Sequence, residues 1–195
     1  MKELNRRGLI FGAAALATIG VFAGVEHVAS SGLVQEEPPL GSDASVEIVE
    51  FDDSGERTEK VSLHKIRKTN VEWQKILTVP QFVITRKAGT EIPYSGELLN
   101  EDRAGIFRCA DCGTALFDST TKFESGTGWP SFWAVIADEN VREKDDFSLG
   151  VRRREVKCTL CDAHLGHVFT DGPAPTGLRY CMNSAALNFV ATRGA

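Results

Sequence analysis

Five cysteines divide the chemistry of this chain. Four form two tight pairs, Cys109–Ala110–Asp111–Cys112 and Cys158–Thr159–Leu160–Cys161. The fifth, Cys181, stands alone in Arg179–Tyr180–Cys181–Met182–Asn183–Ser184. A CxxC loop aims two thiolates at one point, so two such loops predict one tetrahedral zinc ion held by Cys109, Cys112, Cys158 and Cys161. The alternative in an oxidising compartment is a disulfide within each pair. The turn signals beside the pairs, Cys112–Gly113 and Cys161–Asp162, favour zinc knuckles. Four thiolates leave no position for water, so the expected role is structural, and hydrolytic zinc chemistry is excluded.

The thiol left over is a candidate nucleophile, against the alternative of an inert buried cysteine. On a strand, Arg179, Cys181 and Asn183 share one face. There Arg179 favours the thiolate and Asn183 can hydrogen-bond a polar substrate. His164–Leu165–Gly166–His167 supplies two imidazoles, readable as acid–base groups or as supports for the knuckle at Cys161. In Gly126–Thr127–Gly128–Trp129–Pro130–Ser131–Phe132–Trp133, two glycines lead into aromatic residues. That run either fills a core or walls a pocket for a methyl-sized group.

These groups need a scaffold, and the chain has the means to build one. It has 195 residues, 42% hydrophobic and 25% charged, as expected of a globular domain with extensions. A net charge of -5 argues against nucleic-acid binding, which depends on neutralising phosphates. Val46, Ile48 and Phe51, the turn Asp52–Gly55, and Val61 and Leu63 predict a small hairpin. Thr69 with Glu72 has the form of a capping box before Trp73, Ile76 and Leu77. Thr78 with Pro80 starts a second short helix carrying Phe82 and Val83. From Pro93 onward, short runs (Gly105–Arg108, Leu149–Lys157, Leu165–Phe169) bounded by turn residues predict antiparallel strands.

The first 29 residues read as an address. Arg6–Arg7 precedes the uncharged stretch Gly8–Val25, which resembles a twin-arginine export signal. Export to the periplasm or another extracytoplasmic space follows, with membrane contact only through that signal if it is uncleaved. Residues 30–67 read as a linker with the hairpin, and residues 68–195 as the functional domain.

The CxxC pairs, the SGTGWPSFW run (Ser125–Trp133), the segment from Cys158 to Phe169, Asp171–Gly172–Pro173 and Arg179–Ser184 together resemble methionine-R-sulfoxide reductase of the B type. The resemblance runs from about Lys68 to Phe189. It implies a mainly β fold, two antiparallel sheets forming an open barrel clamped by zinc, with a short helical N-terminal arm. It implies that Cys181 attacks the sulfoxide sulfur of methionine-R-sulfoxide and becomes a sulfenic acid. His164, His167 and Asn183 match the family's active-site positions, Trp129 the aromatic that receives the S-methyl group, and Phe169, Val168 and Arg179 positions beside the substrate. Many members carry a resolving cysteine where this chain has Thr127. With none here, the resemblance implies reduction by an external donor, a thioredoxin-like protein or a small thiol. A zinc-stabilised binding module without catalysis is the competing reading, and it has no need of Cys181 beside Arg179.

Overall fold

The computed structural model describes residues 44–148 and 152–192. The expected export signal lies outside them. Two hairpin strands come first, β1 (Ser45–Phe51) and β2 (Arg57–His64), then helices α1 (Asn70–Ile76) and α2 (Val79–Lys87). Nine strands follow: β3 (Gly105–Cys109), β4 (Ala115–Asp118), β5 (Lys122–Phe123), β6 (Ser131–Phe132), β7 (Val141–Asp146), β8 (Arg153–Cys158), β9 (His164–Phe169), β10 (Arg179–Met182) and β11 (Leu187–Ala191). The fold is mainly β and its sheets are antiparallel, in the orders β5-β6-β10-β9-β8-β7, β11-β3-β4 and β1-β2. They do not close into a barrel.

Both helices start where their caps dictate. The Thr69 and Thr78 hydroxyls accept from the backbone N–H groups of Glu72 and Gln81, whose side chains accept in return from the cap N–H. Such caps contribute about 1 kcal/mol each. Trp73 is buried while Ile76 is exposed, so the first helix docks through its tryptophan. The hairpin belongs to the same compact unit as the domain. Its Val49 exchanges hydrogen bonds with the buried side chain of Asn140, which also donates to Ala115 O.

An aromatic cluster joins the two larger sheets. Phe132 of β6 stacks on Phe117 of β4 with centroids 4.3 Å apart and meets Phe107 of β3 edge-on at 4.9 Å. Tyr180 of β10 lies 5.8 Å from Phe117. Each buried ring contributes about 2–3 kcal/mol by leaving water. These residues fix the inner face of the six-stranded sheet: Phe132, Tyr180 and Val168 align across three strands, with Met182, Gly166 and Val156 in the next row. Alternation then turns the neighbouring residues outward, and the candidate site lies on that outer face.

Candidate active site and metal centre

One row across the outer face runs Phe123, Ser131, Cys181, His167, Glu155 and Lys144, each residue the register partner of the next. Cys181 sits on β10, with paired strands on both sides. The approach of β9 is close: a Cβ at Gly166 would stand 2.1 Å from Cys181 O, so this position admits only glycine.

Cys181 is half-buried beside three hydroxyls. Thr127 Oγ1 is 3.7 Å from its Sγ. Ser125 Oγ links Thr127 Oγ1 at 2.8 Å to Ser131 Oγ at 2.7 Å. Burial pushes the thiol above the ordinary cysteine range, and Thr127, Arg179 and Ser131 each pull against it without prevailing. The resting sulfur is therefore a thiol at neutral pH. Arg179 donates two hydrogen bonds of 2.9 Å to Asp171 and covers the Phe169 ring, its guanidinium 4.3 Å from the centroid. Phe169 is thus stacked under Arg179.

The two histidines reach one face through a bulge. Val156 pairs with Gly166 but Lys157 with His164, so β9 holds one extra residue, Leu165, opposite that step. The extra residue shifts the alternation, and His164 joins His167 on the outer face with ring centroids 5.5 Å apart. Their partners hold opposite nitrogens. His164 Nδ1 lies 2.8 Å from Glu155 Oε1, and His167 Nε2 lies 2.8 Å from Asp146 Oδ2. Asp146 also accepts from Arg153 at 2.6 Å. Burial lowers the His167 pKa, and Asp146 opposes the shift without reversing it. His167 is neutral at neutral pH.

The SGTGWPSFW loop is shaped by its glycines. Gly126 and Gly128 have φ of 69° and 91°, and a Cβ on Gly128 would meet Tyr94 N at 2.8 Å. Gly128 O accepts from Tyr94 N, and Trp129 Nε1 donates to Glu91 O at 3.2 Å. This holds the half-buried Trp129 indole by its edge.

Two expected substrate contacts are placed differently. Val168 faces the core between Tyr180 and Arg154 in register, because it is one residue out of phase with His167. Asn183 lies just beyond β10, where alternation no longer applies. Its Oδ1 accepts from Glu91 N at 3.0 Å and its Nδ2 donates to Leu165 O at 3.1 Å. The amide thus ties the Glu91 loop to β9 and does not face outward with Arg179 and Cys181. Glu91 continues the same tie, accepting from Ser184 N and Ala185 N.

The four paired cysteines converge. Their sulfurs lie within 4.8 Å of one another, with Cys109–Cys161 at 3.6 Å and Cys112–Cys158 at 3.5 Å. Sulfurs about 2.3 Å from a tetrahedral zinc stand about 3.8 Å apart, so the set fits one ion. The two loops repeat one hydrogen-bond pattern. Cys109 N donates to Thr114 O and Gly113 N to Cys109 O; Cys158 N donates to Ala163 O and Asp162 N to Cys158 O. Gly113 and Asp162 both take positive φ, 80° and 61°. Cys109 ends β3 and Cys158 ends β8, so an ion here joins the two larger sheets.

Neighbouring elements hold both loops. Arg86 of α2 donates to Asp111 Oδ2 and to Cys161 O. The chain following β2 adds Ile66 N to Leu160 O at 2.9 Å and Lys65 Nζ to Asp162 Oδ1 at 2.5 Å. Arg108, before the first pair, donates to Phe51 O and Asp52 O at the hairpin turn.

The SelR domain family matches residues 77–191. A Peptide methionine sulfoxide reductase MsrB of Methanosarcina barkeri is 55% identical over 124 residues, 64% of this chain and 87% of that protein. Proteins of the same name from Pseudomonas paraeruginosa and Pseudomonas aeruginosa are 54% and 56% identical, over 68% and 66% of this chain and 100% and 97% of their own lengths. With the four-cysteine cluster and the outer-face row around Cys181, these matches establish that the chain belongs to the SelR domain family, that of the MsrB peptide methionine sulfoxide reductases.

Proposed function

We propose that the chain reduces methionine-R-sulfoxide in oxidised proteins to methionine, with Cys181 as nucleophile. The observation that carries this reading is the row Ser131, Cys181, His167 on the outer face of a sheet whose other face is the core. Cys181 loses its thiol proton and gives an electron pair to the sulfoxide sulfur, forming an S–S bond. A histidine gives a proton to the sulfoxide oxygen, and the S–O bond breaks. The released hydroxide attacks the Cys181 sulfur, the S–S bond breaks with its electron pair going to the methionine sulfur, and Cys181 is left as a sulfenic acid while methionine leaves reduced. Trp129 is the aromatic surface for the S-methyl group. Zinc fills the four-cysteine site and serves the fold, with no part in the chemistry. The decisive assay uses separated R and S sulfoxide epimers with dithiothreitol. Turnover of R alone supports the reading, and turnover of neither overturns it.

Regeneration falls to an external thiol, a thioredoxin-like protein or a small thiol. Two donor thiols are oxidised to a disulfide, Cys181 returns to the thiol, and water leaves. Thr127 occupies the place beside Cys181 that a resolving cysteine would need. After substrate without reductant, mass spectrometry is expected to show one added oxygen on the Cys181 peptide and no disulfide. Thr127→Cys should instead give a disulfide between the introduced thiol and Cys181. The Thr127 and Cys181 side chains are 3.7 Å apart, and closing to about 2.0 Å asks little of the loop. A disulfide from Cys181 to a zinc ligand in the unaltered protein would refute this scheme.

Residues 1–29 direct export through the twin-arginine route, and the enzyme repairs proteins outside the cytoplasm. Arg6→Lys with Arg7→Lys keeps the charge and should retain the protein inside the cell. Unimpaired export of the double variant would point to an ordinary secretory signal.

A further inference from the structure

The geometry points to Glu155 as the positioning residue that holds His164 with its Nε2 presented to the substrate sulfoxide oxygen. The inference rests on the proposed reductase reading and assigns different tasks to the two imidazoles.

Glu155 comes from β8, two strands from Cys181, with β9 between them. Strands stand about 4.8 Å apart, so its backbone is about 10 Å from that of Cys181. At that distance the carboxylate acts through another group. That group is His164, whose Nδ1–H donates to Glu155 Oε1 at 2.8 Å. The pair is shielded, with side-chain exposures of 13% for Glu155 and 4% for His164. The His164 hydrogen bond holds the Glu155 carboxyl below its ordinary range, against the effect of burial. The carboxylate stays ionised and accepts only at Nδ1.

The opposite nitrogen carries the argument. His164 Nε2 is buried and has no hydrogen-bond partner among the described residues. It is one of five buried polar side-chain atoms without a partner among the described residues, and it belongs to the imidazole that lies 5.5 Å from that of His167, the register partner of Cys181. His167 has no such atom to offer at Nε2, which Asp146 holds. His164 therefore presents Nε2 and His167 only Nδ1. The charged or titratable groups around the pair are Lys157 (Nζ 3.7 Å from Glu155 Oε1), His167, and Asp146 with Arg153 behind His167.

The proton balance follows from this arrangement. His164, with Nδ1–H on Glu155 and a second proton on Nε2, gives the Nε2 proton to the sulfoxide oxygen as the S–O bond breaks. Neutral His164 is left with Nδ1–H still on Glu155, and the proton that Cys181 gives up on ionising balances the one that Nε2 donates.

Nitrogen-15 NMR of the histidine-labelled full chain tests the first half without substrate. Neutral His164 should carry its proton on Nδ1; a proton on Nε2 overturns the proposal, whatever any variant does. Glu155→Gln keeps the shape and removes the charge. It should relax the His164 tautomer towards Nε2–H and lower kcat about 10- to 100-fold. KM should stay within about twofold and zinc content should be unchanged. Unchanged kcat with an altered tautomer, or loss of zinc, would overturn the role. Asp146→Asn should leave the His164 tautomer as it is. Epimer turnover and Cys181→Ser test the reductase reading separately, since the tautomer measurement does not depend on activity.

Discussion

Cys181→Ser is expected to abolish sulfoxide reduction, with kcat falling by about four orders of magnitude or more, the scale on which loss of a nucleophile acts. The serine hydroxyl stays protonated at any working pH, whereas a thiol reaches its nucleophilic form readily. Fold and metal should survive, because Sγ makes only weak contacts, to Thr127, Ser131 and Arg179, and stands apart from the four clustered sulfurs. One zinc per chain and an unchanged melting curve are the controls; substantial turnover would overturn the assignment. The thiol also sets a pH expectation. Burial holds it protonated above the ordinary range, so alkylation of Cys181 by iodoacetamide should accelerate steadily as pH rises past neutrality. A plateau already at pH 7 would mean that Arg179, Thr127 and Ser131 outweigh burial. Because Asp171 takes two of the Arg179 donors, Asp171→Asn should free that charge to act on the thiol.

Local chemistry was legible in the sequence, and parity across the sheet was not. The capping box at Thr69 forms as expected, and Thr78 caps the second helix as expected, with Gln81 completing a second box beyond that expectation. The CxxC pairs carry their own turn signals, Gly113 and Asp162, and converge as their spacing predicts. Arg179 and Cys181 share a face because β10 contains both. Asn183 falls past the end of that strand, and its amide turns inward to backbone partners. Histidines three apart on a strand should face opposite ways; only the extra residue at Leu165 brings His164 beside His167. Nothing local marks that bulge, although Gly166 is a hint. Glu155 and Asp146 lie 9 and 21 positions from the histidines they hold. Such pairings are set by strand register, so no local pattern could name them. Val168 needed only the alternation from His167, once β9 was in register.

Cys158→Ser is expected to strip the metal and unfold the domain. Binding at structural zinc sites contributes about 10–16 kcal/mol of apparent free energy, and a whole domain is stable by about 5–15 kcal/mol. Losing most of the first exhausts the second. The position sharpens the expectation, because Cys158 ends β8 while its partner at 3.5 Å, Cys112, follows β3. Without the ion, the buried thiols take up protons and lose the ligand they share, and the two larger sheets keep only their aromatic join. The surrounding bonds cannot replace the ion. Arg86 to Cys161 O, Ile66 N to Leu160 O and Lys65 to Asp162 hold the loops from outside, the backbone bond contributing about 1 kcal/mol and the two with charged groups about 1.5–3 kcal/mol each. They should slow metal release without making the empty site stable. Elemental analysis and circular dichroism melting of Cys158→Ser beside Cys181→Ser separate the roles: the first should be metal-free and unfolded, the second loaded and folded. A chelator strong enough to remove zinc should reproduce the first result in the unaltered protein, with refolding on zinc addition under reducing conditions. A metal-free Cys158→Ser that melts like the unaltered protein would show that the aromatic core and the outer bonds hold the sheets without the ion.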